Sequence, residues 1–247
     1  MNQESIMGMV LSAAPVGEYD KRLVILTREH GKIAAFARGA RRPNGALLAC
    51  SQPFAFGTFQ VYQGKSSYTV VAAEISNYFE ELRTDLEAIY YGMYFCEFSD
   101  YLTRENVDAS DYLKLLYQTL RALSKRTIPF SLVRYIFELR CMAINGEGLQ
   151  VFECVTCGSR ENIRLLDIKR GGLVCGNCKE EHPSNFIELD EATVYTLRYI
   201  LSSGLEKLYT FRVSDLVMKR LRTVTERYLE VYLGHSFHSL AFLEEKI

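Results

Sequence analysis

The segment KRLVILTREHGKIAAFAR, residues 21–38, is the most informative part of the amino-terminal sequence about its fold. Two short runs with apolar centres, 21–28 and 32–38, flank the turn sequence Glu29-His30-Gly31, and this pattern predicts two strands joined by a turn. Similar runs at 6–13, 57–63 and 67–75 bring the expected number of short strands to five. Five strands with an irregular or helical insert before the fourth are typical of the OB-fold barrel, and a five-stranded SH3-like barrel stays possible.

Helical periodicity replaces strand periodicity after Asn77. Apolar residues recur every three to four positions in five segments, which are 86–105, 109–125, 130–144, 190–203 and 214–233. We expect the first three helices to pack as one bundle, and the apolar tail after His235 to pack back on the protein. The chain is therefore predicted to be an α+β protein, with an OB-fold domain at 1–78 and a helical domain at 79–247.

Four of the seven cysteines form two Cys-x2-Cys pairs, Cys154 with Cys157 and Cys175 with Cys178. The 17 residues between the pairs are typical of a four-cysteine zinc site. Four thiolates leave no open position for water, so we predict one structural zinc ion. With a hairpin turn at Gly171-Gly172, residues 151–182 are predicted to form a zinc ribbon inserted in the helical domain.

Two other interpretations of this segment are open. A redox Cys-x-x-Cys site needs only one pair, near a βαβ unit, and the sequence has two matched pairs and no such pattern. His182 could replace a cysteine as a ligand, although four sulfurs suffice. The other three cysteines, Cys50, Cys96 and Cys141, lie in apolar stretches and are predicted to be buried in the core.

Charge is unevenly distributed, although the formal net charge is only −1. Residues 1–73 carry eight basic and four acidic side chains, whereas residues 74–150 carry eight basic and twelve acidic ones. Strand alternation places Lys32, Phe36 and Arg38 on one face, where cations can neutralise phosphates and a ring can stack on a base. With the flanking turns, the residues predicted to contact nucleic acid are Lys21, Arg22, Lys32, Phe36, Arg38, Arg41, Arg42 and Lys65. The alternative is that these are solvated charges and that the phenylalanines fill the barrel.

The sequence contains no phosphate-binding loop GxxxxGK[ST], no GxGxxG, no HExxH and no GxSxG motif, so we predict that the protein is not an enzyme. No apolar run is long enough to span a bilayer, and the amino terminus lacks the pattern of a signal peptide, so we expect a cytoplasmic protein without membrane contact. Two function classes stay open: a mediator that binds and pairs DNA strands, and a protein-interaction adaptor without DNA contact.

The sequence GMVLSAAPVGEYDKRLVILTREHGKIAAFARGARRP, which begins at Gly8, resembles the amino-terminal signature of the RecO family of bacterial DNA repair proteins. The following QPF at 52–54, the stretch EELRTDLEAIYYGMYFCEFSDYLTRE from Glu80, the cysteine pairs after NGEGLQ, and the closing HSLAFLEE are similar to that family as well. The resemblance covers essentially the whole chain.

This resemblance implies an OB-fold followed by a helical domain that holds a zinc module. It also implies binding to single- and double-stranded DNA, annealing of complementary strands, and cooperation with RecR to load the RecA recombinase onto strands covered by single-stranded DNA-binding protein. The protein would then be cytoplasmic and associated with the nucleoid. DNA contact carries over to the basic residues of the signature, which are Lys21, Arg22, Lys32, Arg38, Arg41 and Arg42.

Overall fold

A computed structural model describes residues 3–181 and 185–244 of the chain. The chain forms two compact units, one made of Met1–Lys125 with Phe237–Ile247 and the other of Arg126–Ser236. The predicted boundary between residues 78 and 79 lies within the first unit, so the division into an OB-fold domain and a helical domain stays a prediction. Among the described residues, no helix combines the length and apolar character that crossing a membrane requires.

Five strands of the first unit close into a barrel. They are β1 (Gln3–Val16), β2 (Asp20–Thr27), β3 (Lys32–Ala37), β4 (Phe56–Gln63) and β5 (Tyr68–Asn77), and their order around the barrel is β1-β2-β3-β5-β4. The β3–β5 pair is parallel, and the other four pairs are antiparallel. This is a five-stranded Greek-key arrangement, and it confirms the predicted OB-like barrel and the α+β fold class. Residues 38–55, between β3 and β4, form turns and contain no helix.

Alternation along β3 explains why this segment forms a barrel strand. Ile33, Ala35 and Ala37 are fully buried, whereas Lys32 and Phe36 point outward and are partly exposed. The inward side chains join a core that includes Leu23, Ile25, Phe59, Val61 and Tyr68. Burial of each large apolar side chain contributes roughly 1.5–3 kcal/mol, and this gain fixes which face of the strand points inward.

The helices of the first unit are α1 (Leu86–Leu102) and α2 (Ser110–Lys125), which pack together, and α7 (His238–Glu244), which packs on α1. The carboxylate of Asp85 caps α1 by accepting hydrogen bonds from the N–H groups of Glu87 and Ala88. The ring of Phe237 lies 5.5 Å from that of Tyr94 and 4.9 Å from that of Phe98. The apolar tail therefore packs back on the protein, as predicted.

The second unit contains α3 (Phe130–Ile144), β6 (Ile163–Asp167), β7 (Gly172–Cys175), α4 (Gly176–Glu181), β8 (Ile187–Glu188), α5 (Glu191–Ser202) and α6 (Asp215–Tyr232). Helix α3 packs on α5 and α6. The prediction of one bundle from α1, α2 and α3 is therefore wrong, because helical periodicity identifies an apolar face but not the helix that covers it. The β6–β7 hairpin, with β8 as its third strand, forms the predicted insertion between helices of this unit.

Candidate metal centre and nucleic-acid surface

The four cysteines of the two Cys-x2-Cys pairs come together in the second unit. The Sγ atoms of Cys154, Cys157, Cys175 and Cys178 all lie within 4.8 Å of one another. The Sγ atoms of Cys157 and Cys175 are 3.7 Å apart. A tetrahedron with metal–sulfur bonds of about 2.3 Å has edges of about 3.8 Å, so the arrangement fits a bound metal ion.

Local backbone geometry positions the first cysteine pair. Gly158 has a φ of +72°, and its N–H donates to the carbonyl oxygen of Cys154 at 2.9 Å. The N–H of Val155 donates to the carbonyl oxygen of Leu173 at 2.9 Å, which ties the pair to β7. The second pair lies where β7 ends and α4 begins, so its two sulfurs face the same point as the first two.

The environment of Cys154 favours its thiolate form. Burial by itself would raise the pKa of this thiol, but hydrogen bonds from the backbone N–H groups of Cys157, Cys175 and Thr156, together with the side chain of Cys157, outweigh burial and lower the pKa to about 6. The N–H of Cys175 lies 3.4 Å from the sulfur. Because metals bind the thiolate, Cys154 is suited to be a ligand. His182 lies outside the described residues, and the other three cysteines are buried, as predicted.

Two of the lysines predicted to contact nucleic acid are bonded within the protein. The Nζ of Lys21 donates to the carbonyl oxygen of Ser51 at 2.8 Å, and burial, followed by the charge of Arg41, lowers the pKa of this lysine. The Nζ of Lys32 lies 2.7 Å from a carboxylate oxygen of Asp100. Both side chains are half-buried, so they contribute charge but have less freedom to reach a ligand.

The four arginines of the predicted set are exposed: Arg22, Arg38, Arg41 and Arg42. The turn after β3 docks on the β1–β2 turn, because the N–H of Arg41 donates to the carbonyl oxygen of Tyr19 at 2.8 Å. The guanidinium of Arg41 donates to the carbonyl oxygen of Gly17 at 3.1 Å, and that of Arg42 lies 5.2 Å from the centre of the Tyr19 ring. These contacts bring Arg41 and Arg42 to the end of the barrel at which β3 ends.

A row of outward side chains crosses the barrel from strand to strand. Arg22 pairs with Phe36, Phe36 with Thr69, Thr69 with Tyr62, and Tyr62 with Gln3. Directly paired residues project from the same face of a sheet, so this outward row places Phe36 and Tyr62 on either side of Thr69. We call these five residues the aromatic row.

Tyr62 was missed in the sequence prediction, although the alternation in residues 57–63 could have indicated that it points outward. The last predicted residue, Lys65, is exposed in the turn between β4 and β5. Because β4 runs antiparallel to β1, this turn and the β1–β2 turn lie at opposite ends of the barrel. Lys65 and the arginines beside the β1–β2 turn therefore lie at opposite ends of a surface that the aromatic row crosses.

Comparisons with known proteins agree with this architecture. A family model described as "Recombination protein O N terminal" matches residues 1–79, and one described as "Recombination protein O C terminal" matches residues 83–241. A protein of Alkaliphilus metalliredigens named DNA repair protein RecO is 34% identical over 235 residues, which are 94% of this chain and 95% of that protein.

Proteins of the same name are similar over the whole length. The protein of Acetivibrio thermocellus is 31% identical over 246 residues, which are 99% of this chain and 97% of that protein. The protein of Bacillus subtilis is 29% identical over 238 residues, which are 96% of this chain and 92% of that protein. This chain belongs to the RecO family.

Proposed function

We propose that this chain is a non-catalytic recombination mediator that binds single- and double-stranded DNA and anneals complementary strands. It acts with RecR to load RecA onto strands covered by single-stranded DNA-binding protein, in the cytoplasm and at the nucleoid. The observation that carries the proposal is the aromatic row, with exposed arginines at one of its ends and beside it. Its relatives are named DNA repair proteins, which supports the same conclusion.

The proposed DNA contact combines two physical effects. Phe36 and Tyr62 offer ring faces for base stacking, which tolerates any base because every base has a π face. The exposed arginines neutralise phosphates and release counterions; they are Arg22, Arg38, Arg41 and Arg42. Annealing then needs no bond to be made or broken, because neutralised strands repel each other less and pair faster.

We further propose that the metal is one zinc ion held by Cys154, Cys157, Cys175 and Cys178. Four sulfur donors with tetrahedral spacing favour zinc, and a closed coordination shell favours a structural role. The ion would supply folding free energy to a small module. Through their bonds to the ion, the four cysteines would link the first cysteine pair to β7 and to the start of α4.

Salt titration of oligonucleotide binding tests the proposed DNA contact. The double variant Arg41→Ala/Arg42→Ala should weaken binding and reduce the slope of log affinity against log salt by about 0.7 for each lost contact with a single strand. Lys114→Ala/Arg121→Ala is the matched control, because it removes two cations from exposed positions on α2. An unchanged slope in the first variant would contradict contact by these arginines.

The alternative function is a zinc-stabilised adaptor that docks partner proteins without touching DNA. It predicts no oligonucleotide binding by the unmodified protein even at low salt. The mediator proposal predicts binding at low salt, and also faster pairing of complementary strands with protein than without it. If complementary strands pair no faster with the protein than without it, the proposed annealing activity is wrong.

A further inference from the structure

A cavity of about 760 Å³ lies in the second unit, between the turn that joins β6 to β7 and the second half of α6. Its cationic lining residues are Lys169, Arg170 and Arg227, and its apolar ones are Ile168 and Val231. The volume falls within the range of roughly 300–1,000 Å³ that is usual for small-ligand sites. It belongs to the second unit, whereas the barrel surface on which the proposed DNA contact rests belongs to the first.

Hydrogen bonds hold the β6–β7 turn in one conformation. The carboxylate of Asp167, which is only 2% exposed, accepts from the N–H groups of Lys169 at 3.0 Å and Arg170 at 3.3 Å. The guanidinium of Arg170 lies 3.6 Å from that carboxylate and donates to the hydroxyl of Thr156 at 2.8 Å. The backbone that carries Lys169 is therefore preorganised.

A second set of contacts fixes this turn against α6. The hydroxyl of Tyr232 donates to the carbonyl oxygen of Lys169 at 3.3 Å. Gly171 has a φ of +68°, and a Cβ at this position would lie 2.7 Å from the same hydroxyl. The positive φ favours glycine, and any side chain here would have to displace the Tyr232 hydroxyl. Lys169 on the turn and Arg227 on α6 line the same cavity, and the contacts between the turn and α6 fix the backbone of Lys169 relative to that helix.

The charges of the cavity favour an anion. Among the described lining residues, Arg170 offsets Asp167, which leaves the exposed Lys169 and Arg227 against the carboxylate of Glu230. Arg220 is exposed seven residues before Arg227, so it lies on the same edge of α6, about 10.5 Å along the axis. We name Lys169, Arg220 and Arg227 the cationic edge. Beside these cations, Val231 is 53% exposed and offers an apolar surface to a sugar or base.

We propose that the cationic edge is a second nucleic-acid site, in which a phosphodiester lies between Lys169 and Arg227 and one nucleotide enters the cavity. The inference rests on the proposed function and deepens it, because a second site would let one molecule hold both strands while they anneal. Guanidinium and ammonium groups neutralise the phosphates, and the apolar side chains of Ile168 and Val231 cover part of the nucleotide.

The test compares two double variants of the full-length protein. Lys169→Ala/Arg227→Ala removes two cations of the edge, whereas the control Lys219→Ala/Arg222→Ala removes two exposed cations from other positions around α6. Calorimetric titration with a short oligothymidine should show two binding events in the unmodified protein and in the control. It should show one event in the edge variant, whose annealing rate should fall about tenfold.

Failure of this inference is distinguishable from failure of the proposed function. Two binding events and unchanged annealing in the edge variant overturn the second site and leave the barrel surface intact. Loss of binding in the unmodified protein would instead reject the proposed function itself. Thymidine monophosphate serves as the competing ligand: if it fills the cavity and oligothymidine does not displace it, the cavity binds free nucleotides and the strand proposal is overturned.

A variant that conserves both charges tests whether the two cations contact phosphate or only stabilise the fold. Lys169→Arg/Arg227→Lys keeps both charges, so it should restore the second binding event. If this variant behaves like the alanine variant while its melting temperature equals that of the unmodified protein, phosphate contact at these positions is rejected.

Discussion

The Nζ of Lys32 lies 2.7 Å from a carboxylate oxygen of Asp100 and donates to the carbonyl oxygen of the same residue at 2.6 Å. This pair links the start of β3 to the end of α1. In the sequence, Lys32 stands among the residues predicted to bind nucleic acid, on the same strand face as Phe36. In the structure, Lys32 is paired with Asp100, whereas Arg38, which directly follows β3, is exposed.

We therefore expect Lys32 and Arg38 to respond differently to removal. Lys32→Ala should lower the free energy of unfolding by about 1 kcal/mol, because it removes a partly exposed ion pair and a hydrogen bond. Arg38→Ala should leave stability nearly unchanged and reduce the salt dependence of oligonucleotide binding. Denaturant unfolding and salt titration of both variants check this. A reduced salt slope in Lys32→Ala would show instead that Lys32 contacts the strand.

Gly31 is expected to be intolerant of any side chain. Its φ is +63°, and an added Cβ would lie 2.0 Å from the carbonyl oxygen of Arg104, where the β2–β3 turn meets the loop after α1. Gly17 is the matched control, since its φ is +56° and nothing lies within 4 Å of an added Cβ. Gly17→Ala should cost about 1 kcal/mol through backbone strain alone, and Gly31→Ala several kcal/mol more. Equal melting temperatures for the two variants would contradict this.

Phe36 and Tyr62 are expected to contribute stacking rather than charge. Replacing either by alanine should weaken single-strand binding by roughly 1–3 kcal/mol without changing the salt slope. The control is Met7→Ala, another apolar side chain exposed on the barrel but outside the aromatic row. Fluorescence titration with oligothymidine measures the affinities. If both aromatic variants bind as tightly as Met7→Ala, bases do not stack on this row.

Metal removal should unfold the cysteine module first. Cys157 is the exposed member of the four, so Cys157→Ser removes a ligand with the least disturbance of packing. We expect metal analysis to find one zinc per chain in the unmodified protein and far less in this variant, together with a lower melting temperature. Cys50→Ala, in the core of the barrel, should retain the zinc. Unchanged circular dichroism and melting after chelation would argue against a structural metal.

Glu97 should make the docking of α7 sensitive to acid. Its carboxylate accepts the N–H groups of His238 and Ser239, each at 2.9 Å. Burial raises the pKa of Glu97, but these hydrogen bonds outweigh burial, so the folded-state pKa lies below the ordinary value. The stabilisation is therefore complete above the unfolded-state pKa of about 4.3 and is lost as the pH falls through the folded value. Glu97→Gln should be less stable than the unmodified protein at pH 7, with a difference that shrinks below pH ~4. A difference independent of pH would contradict this account.

Local sequence patterns were enough to predict the features that depend only on neighbouring residues in the chain. Period-two alternation in residues 32–38 predicted the inward face of β3, and the segment 130–144 coincides with α3. The spacing of two Cys-x2-Cys pairs predicted the cysteine cluster, because each pair needs only a short turn to direct two sulfurs to one point. The segment 214–233 likewise coincides with α6, which Ser214 caps by accepting a hydrogen bond from the N–H of Val217.

Other features depend on contacts between segments that are distant in the sequence, and these could be read only from the folded structure. Cross-strand register places Tyr62 and Phe36 in one row, although 25 residues separate them in the chain. The ammonium group of Lys32 pairs with the carboxylate of Asp100 on α1. Helix α3 packs on α5 and α6, and the predicted bundle of α1, α2 and α3 does not form. Periodicity specifies which face of a segment is apolar or charged, whereas the partner of that face depends on how the whole chain minimises its exposed apolar surface.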